Sequence, residues 1–76
     1  MIFLDTNYLI NLHVENNKFH ERAKEIYSLI KDKEKVISNL VIMEVTTVLN
    51  YRLKQDSELI SNVYQELNEE YNINIW

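Results

Sequence analysis

The sequence predicts a small α/β domain in which a short parallel sheet is flanked by helices. Short apolar runs without polar alternation are typical of strands buried on both faces, and here they alternate with stretches of helical periodicity. The 76 residues contain no glycine and no proline, and many asparagines, which favours helices joined by Asn, Asp and Ser turns. Strands that alternate with helices indicate a parallel sheet with right-handed crossovers, in the order β-α-α-β-α-α-β.

The first strand is predicted at residues 2–5, a continuous apolar run that ends in Asp5. Asp5, Thr6 and Asn7 are all N-cap residue types, so a helix is predicted at 7–14.

The second helix is predicted at residues 18–32. Its apolar side chains recur with helical spacing and form one face, made of Phe19, Ala23, Ile26, Tyr27 and Ile30. Residues 31–35 carry charges of alternating sign and are expected to form a solvated loop. The second strand is predicted at residues 36–38.

The third helix is predicted at residues 39–53, capped by Ser38 or Asn39. It is apolar nearly all round and is therefore expected to be largely buried. The fourth helix is predicted at residues 57–70, from an apolar stripe made of Leu59, Ile60, Val63, Tyr64, Leu67 and Tyr71. Residues 72–76 alternate between polar and apolar and are predicted to be the third strand.

The composition excludes several kinds of site. Without cysteine there is no disulfide and no Cys-based zinc site, and without glycine there is no P-loop and no Rossmann glycine motif. The formal net charge of −4 argues against a purely electrostatic nucleic-acid binder, which would normally be basic. No apolar run approaches the ~20 residues of a membrane span, so a soluble, cytoplasmic protein is expected.

Two carboxylates stand in strongly apolar surroundings. Asp5 lies at the carboxyl end of the first strand, the edge where ligands bind in open α/β sheets, although it could equally serve as a helix N-cap. Glu44 is the only charged residue between Lys35 and Arg52, although its face of the helix could simply reach solvent. The two residues lie on adjacent β-α units and could converge. Mg²⁺ takes oxygen ligands of this kind, usually one or two carboxylates with water and phosphate.

At these residues the chain resembles the PIN-domain family. Residues 2–10 are similar to the opening of PIN domains, and residues 37–45 are similar to their second motif, a strand that runs into a helix carrying the Glu. Residues 19–24 fit the usual second helix. The resemblance is closest to VapC-type toxins of toxin–antitoxin operons.

The resemblance implies a metal-dependent endoribonuclease that cleaves RNA with Mg²⁺ or Mn²⁺ held by three or four acidic residues. Asp5 and Glu44 match the first two of these acids, so they are the expected catalytic residues and metal ligands. Asn7 matches a position that commonly hydrogen-bonds within the site, and Thr6 is a second candidate of the same kind. The expected partners are an RNA substrate and an antitoxin protein.

The resemblance covers the whole chain, but the chain covers only about the first half of a PIN domain. The fold is therefore expected to be truncated, a 1–76 N-terminal part, with the third acidic motif missing. The remaining acids would come from a second chain, a longer parent protein or a dimer mate, and the chain alone is expected to cleave RNA little or not at all. In family topology strand one has a further neighbour, so an apolar edge around Ile2–Leu4 should favour a homo-oligomer. The alternative is a non-catalytic PIN remnant that acts as a protein-interaction module.

Overall fold

The computed structural model describes residues 1–74, and in them three parallel strands and four α-helices follow the predicted order. The strands are β1 (Ile2–Phe3), β2 (Lys35–Ser38) and β3 (Asn72–Asn74). The helices are α1 (Thr6–His13), α2 (His20–Ile30), α3 (Asn39–Thr47) and α4 (Ser57–Glu70), and a π-helical turn (Val48–Arg52) continues α3. The predicted fold class is confirmed, while residues 75–76 of the predicted third strand lie outside the described residues.

The sheet leaves one side of β1 open. β2 lies between β1 and β3 and pairs in parallel with both. The amides of Ile2 and Leu4 donate to the carbonyl oxygens of Glu34 and Val36, at 2.9 and 3.0 Å. Because successive backbone groups of a strand point to opposite sides, the amide and carbonyl of Phe3 face away from β2. Within residues 1–74, β1 is therefore an edge strand with unpaired backbone groups.

The core lies where α1, α3 and α4 meet the sheet. Its most completely buried side chains come from each of these elements and from the π-helical turn, namely Leu9, Ile37, Val45, Leu49 and Leu67. Except for Ile37 of β2, these residues belong to the apolar faces of helices, so those faces do turn towards the core.

Several apolar residues that the periodicity places in the core are exposed instead. Phe19 is 56% exposed in front of α2, and Tyr64 is 54% exposed on α4. On α3, which was expected to be largely buried, Leu40 and Met43 are 52% and 62% exposed. Ile26 is also exposed. A three-stranded sheet is narrow and does not cover the full width of the apolar stripes, so part of each wide stripe faces solvent.

Three side chains cap the helix N-termini. Asp5 accepts the amide of Tyr8, Ser38 accepts the amide of Val41, and Asp56 accepts the amide of Leu59, at 2.8, 3.1 and 2.8 Å. Of the two cap candidates for α3, the structure selects Ser38.

The end of α3 widens into a π-helical turn before the chain reverses. The amide of Leu53 donates to the carbonyl of Val48 at 3.0 Å, and the amide of Gln55 donates to that of Leu49 at 2.8 Å. Lys54 lies between these donors with φ of 49°, in the left-handed region that glycine usually supplies at a helix end. In a chain without glycine, a lysine takes this position.

Lys35 is buried, which corrects the prediction that residues 31–35 form a solvated loop. Its Nζ donates to three carbonyl oxygens after the end of α2, those of Ile30, Lys31 and Lys33, each at 3.1 Å. Nζ also lies 5.1 Å from the centre of the Tyr27 ring. The ammonium thus has three hydrogen-bond acceptors at the end of α2 and in the loop after it, and these bonds offset the cost of its burial.

None of the helices within residues 1–74 is long and apolar enough to cross a membrane.

Candidate functional site

Asp5 occupies the junction between β1 and α1. Its Oδ1 accepts the amide of Tyr8 at 2.8 Å, so the N-cap interpretation is correct. The side chain is nevertheless exposed, and Oδ2 makes no hydrogen bond to any residue in the described part of the chain. Capping therefore positions the carboxylate and leaves one of its oxygens available to a ligand.

Glu44 lies in the second turn of α3, and its side chain reaches back to the start of α1. The Thr6 hydroxyl lies 3.4 Å from Glu44 Oε1, a long hydrogen bond between residues far apart in sequence. Since Thr6 directly follows Asp5, this contact brings the Glu44 carboxylate to the end of β1. Glu44 is also exposed, which agrees with the alternative interpretation that its face of the helix reaches solvent.

Asp5 and Glu44 line one open cleft of about 440 Å³ at the carboxyl ends of β1 and β2. The rest of the lining is mostly apolar and consists of Phe3, Leu4, Ser38, Leu40 and Val41. The convergence predicted from two adjacent β-α units is thus present: Asp5 lies between β1 and α1, and the helix after β2 carries Glu44.

The two supporting polar residues have different environments. Thr6 is half-buried and contacts Glu44, whereas Asn7 is exposed in the first turn of α1. Ser38 is a lining residue that the site prediction missed, because its hydroxyl was assigned only to helix capping. Its position after the β2 run, next to β1, was the signal that could have found it.

The remaining carboxylates do not extend the acid pair. Within residues 1–74 no group of three or more His, Asp or Glu side chains is arranged to hold a metal ion. The acids after Glu44 lie at the start of α4 (Asp56 and Glu58), on its exposed surface near its end (Glu69 and Glu70), or facing α1 beside His13 (Glu66).

A second polar hollow lies between α1, α2 and α4 and has about 380 Å³ of space. There His13 Nε2 lies 3.2 Å from Glu66 Oε2 without making a hydrogen bond, and His20 Nδ1 lies 2.9 Å from the Asn11 carbonyl. Burial lowers the pKa of His13; the Glu66 carboxylate opposes this shift and His20 adds to it. Burial, with Tyr27 close by, raises the pKa of Tyr71. This polar hollow lies where three helices meet and shares no lining residue with the acid cleft.

Fold and site together define a small parallel α/β domain with an acidic cleft at the carboxyl ends of its strands. The family model of the PIN domain matches residues 2–76, and the chain belongs to the PIN-domain family. No individual curated protein and no solved structure matches the chain significantly. PIN domains are nuclease-type domains and are generally dependent on divalent metal ions, so membership indicates a nuclease-type function and an RNA substrate.

Proposed function

We propose that this chain carries the first two acids of a metal-dependent endoribonuclease centre of the VapC toxin type. The observation that supports this best is the shared cleft of Asp5 and Glu44, brought together by the parallel pairing of β1 with β2. In the proposal these two residues are both catalytic residues and metal ligands.

The donor set fits a hard divalent cation. Asp5 Oδ2 and the Glu44 carboxylate are exposed oxygen ligands of the kind that Mg²⁺ and Mn²⁺ prefer, and the Thr6 hydroxyl keeps Glu44 turned towards Asp5. A bound cation supplies Lewis acidity towards the RNA phosphate and lowers the pKa of a water molecule. The N-cap bond to Tyr8 holds the Asp5 side chain in one orientation, so its free oxygen stays aimed at the cleft.

Two carboxylates hold a cation weakly, because most of its coordination positions remain with water. The chain alone is therefore proposed to cleave RNA little or not at all, with the remaining acids supplied by a further polypeptide segment or a second chain. In the same proposal the protein is cytoplasmic, an antitoxin protein is its partner, and it forms a homo-oligomer through the open edge of β1.

A non-catalytic interaction module is the competing function. It is favoured by the exposed side chains Phe3, Leu40 and Met43 beside the unpaired edge of β1. Such a module would use the same surface to bind a protein and would need no cation.

Calorimetric titration of Mn²⁺ separates the two functions. In the nuclease proposal the wild type binds one weakly held Mn²⁺, and both Asp5→Asn and Glu44→Gln abolish this binding. Glu58→Gln, an exposed acid at the start of α4, is the matched control and should bind Mn²⁺ like the wild type. Equal heats for all four proteins would contradict the metal site and leave the interaction module.

A further inference from the structure

Three hollows that share lining residues follow one another along α3 from the acid cleft to the π-helical turn, and we call this row of hollows the groove. A hollow of about 460 Å³ shares Leu40 and Glu44 with the acid cleft. At its other end it shares Thr47 with a third hollow of about 360 Å³, which Tyr51 lines. Glu44 and Tyr51 are separated by about 10 Å along the helix, at the usual rise per residue. The acid pair and the exposed aromatic ring thus stand at the two ends of one groove.

The groove changes its chemistry from one end to the other. The middle of the groove is lined by the exposed apolar side chains of Leu40 and Met43. At the far end Tyr51 is 73% exposed, and hydroxyl and amide groups surround it, including those of Thr47 and Asn50. Tyr51 does not belong to the buried core cluster, which Leu49 joins from the same turn.

Two cations lie close in sequence to Tyr51, ahead of the acids Asp56 and Glu58. After Lys35 the only lysine or arginine residues in the chain are Arg52, which follows Tyr51 directly, and Lys54, three residues after Tyr51; both are exposed. Neither forms a salt bridge within the part of the chain that the structure describes. In a protein of net charge −4, two unpaired cations beside an exposed aromatic ring form a local site for a phosphate backbone.

We propose that Tyr51 stacks on a base of single-stranded RNA lying in this groove, with Arg52 and Lys54 neutralising the phosphates beside it. This inference rests on the proposed nuclease function, and it names the side chain that positions the strand across the acid pair. An exposed ring and nearby cations are the chemistry of sequence-tolerant single-strand binding, since every base has a face that can stack. The apolar floor suits base faces as well. Duplex RNA would not fit this mode, because its bases already stack on one another.

Fluorescence anisotropy with a labelled eight-nucleotide single-stranded RNA, in EDTA, tests the stacking without cleavage or metal. Tyr51→Ala should weaken binding by about 5- to 150-fold, the range that loss of one base–aromatic stack causes. Tyr51→Phe keeps the ring and should bind like the wild type. Tyr64→Ala removes another exposed tyrosine, on α4 and away from the groove, and should also bind like the wild type. Circular dichroism of each variant confirms that it is folded.

The same titration distinguishes this inference from the metal site. Tyr51→Ala should weaken RNA binding in EDTA yet bind Mn²⁺ like the wild type, because Tyr51 lies about two helical turns from Glu44 and does not line the acid cleft. If no variant loses Mn²⁺ binding but Tyr51→Ala still weakens RNA binding, the nuclease proposal is wrong and the stacking site stands. The inference would be overturned if Tyr51→Ala and the wild type bound the RNA equally well, or if the wild type bound no RNA. It would also be overturned if duplex RNA bound the wild type as tightly as the single strand does.

Discussion

The Thr6 hydroxyl lies 3.4 Å from Glu44 Oε1 and joins the start of α1 to the second turn of α3. This contact is the described hydrogen bond that links the Asp5 segment to the Glu44 helix at the cleft. If Glu44 is a metal ligand, Thr6 orients it. Replacing Thr6 with Val removes the hydroxyl and keeps the side-chain shape. We expect Mn²⁺ affinity to fall by about 10- to 100-fold, the usual cost of losing a residue that orients a ligand. Calorimetric titration measures this affinity. The control is Thr47→Val, which changes a threonine on α3, the helix that carries Glu44.

Lys35 should be important for stability. Lys35→Met keeps the aliphatic stem but leaves the carbonyls of Ile30, Lys31 and Lys33 without their ammonium donor. The free energy of unfolding should fall by about 1–3 kcal/mol, the cost of leaving buried polar groups unpaired. Urea denaturation measures the change. Lys33→Met alters an exposed side chain in the same loop and should change stability by less than about 0.5 kcal/mol. Equal midpoints for the two variants would contradict the role of Lys35.

Stability should fall as the solution becomes mildly acidic. Because burial lowers the pKa of His13 below its ordinary value of 6.5, the unfolded chain takes up a proton before the folded chain does. The contribution of His13 to the free energy of unfolding is constant above pH 6.5. It is lost as the pH falls from 6.5 towards the pKa of His13 in the folded state. The slope is at most about 1.4 kcal/mol per pH unit. Denaturation at pH 7.5, 6.5 and 5.5 measures it.

His13→Gln should flatten this pH dependence, whereas His20→Gln should retain most of it. A wild type that gains stability between pH 7 and 5.5 would show that the attraction of Glu66 outweighs burial.

Lys54 holds a left-handed backbone conformation that costs a non-glycine residue about 1–2 kcal/mol. Lys54→Gly should therefore raise the free energy of unfolding, by about 1 kcal/mol after the added flexibility of the unfolded chain is subtracted. Arg52→Gly, two residues earlier in the π-helical turn, should lower it by a similar amount because φ there is helical. Thermal unfolding followed by circular dichroism compares the two. Destabilisation by both substitutions would show that the turn does not strain Lys54.

The open edge of β1 should cause self-association. Phe3 is 60% exposed, and its unpaired backbone groups can pair with the same strand of a second copy. Sedimentation at low micromolar concentration should show a dimer or larger species for the wild type. Phe3→Lys places a charge on the edge and should shift the protein to monomer. Leu29→Lys, which changes an exposed apolar residue on α2, should leave the association intact. A monodisperse wild-type monomer would rule out the proposed homo-oligomer.

Much of the fold follows from local patterns. The order of strands and helices, the caps at Asp5 and Ser38, and the apolar stripes of α1 and α4 depend on neighbouring residues and on helical spacing, which the sequence displays directly. The family was likewise visible in two short motifs around Asp5 and Glu44, because those motifs combine an element boundary with a carboxylate.

Burial and proximity were decided by the tertiary structure. Tyr64 and Met43 have apolar spacing, yet they are exposed, because spacing defines a face and does not say how much of it a neighbour covers. Lys35 looked like a loop charge and is buried, because the carbonyls that pair with it, two to five residues earlier in the chain, converge on its ammonium only in the folded turn after α2. The sequence alone established that Asp5 and Glu44 are unusual. Only the parallel pairing of β1 with β2 brought them to one cleft, since a contact between distant residues depends on topology.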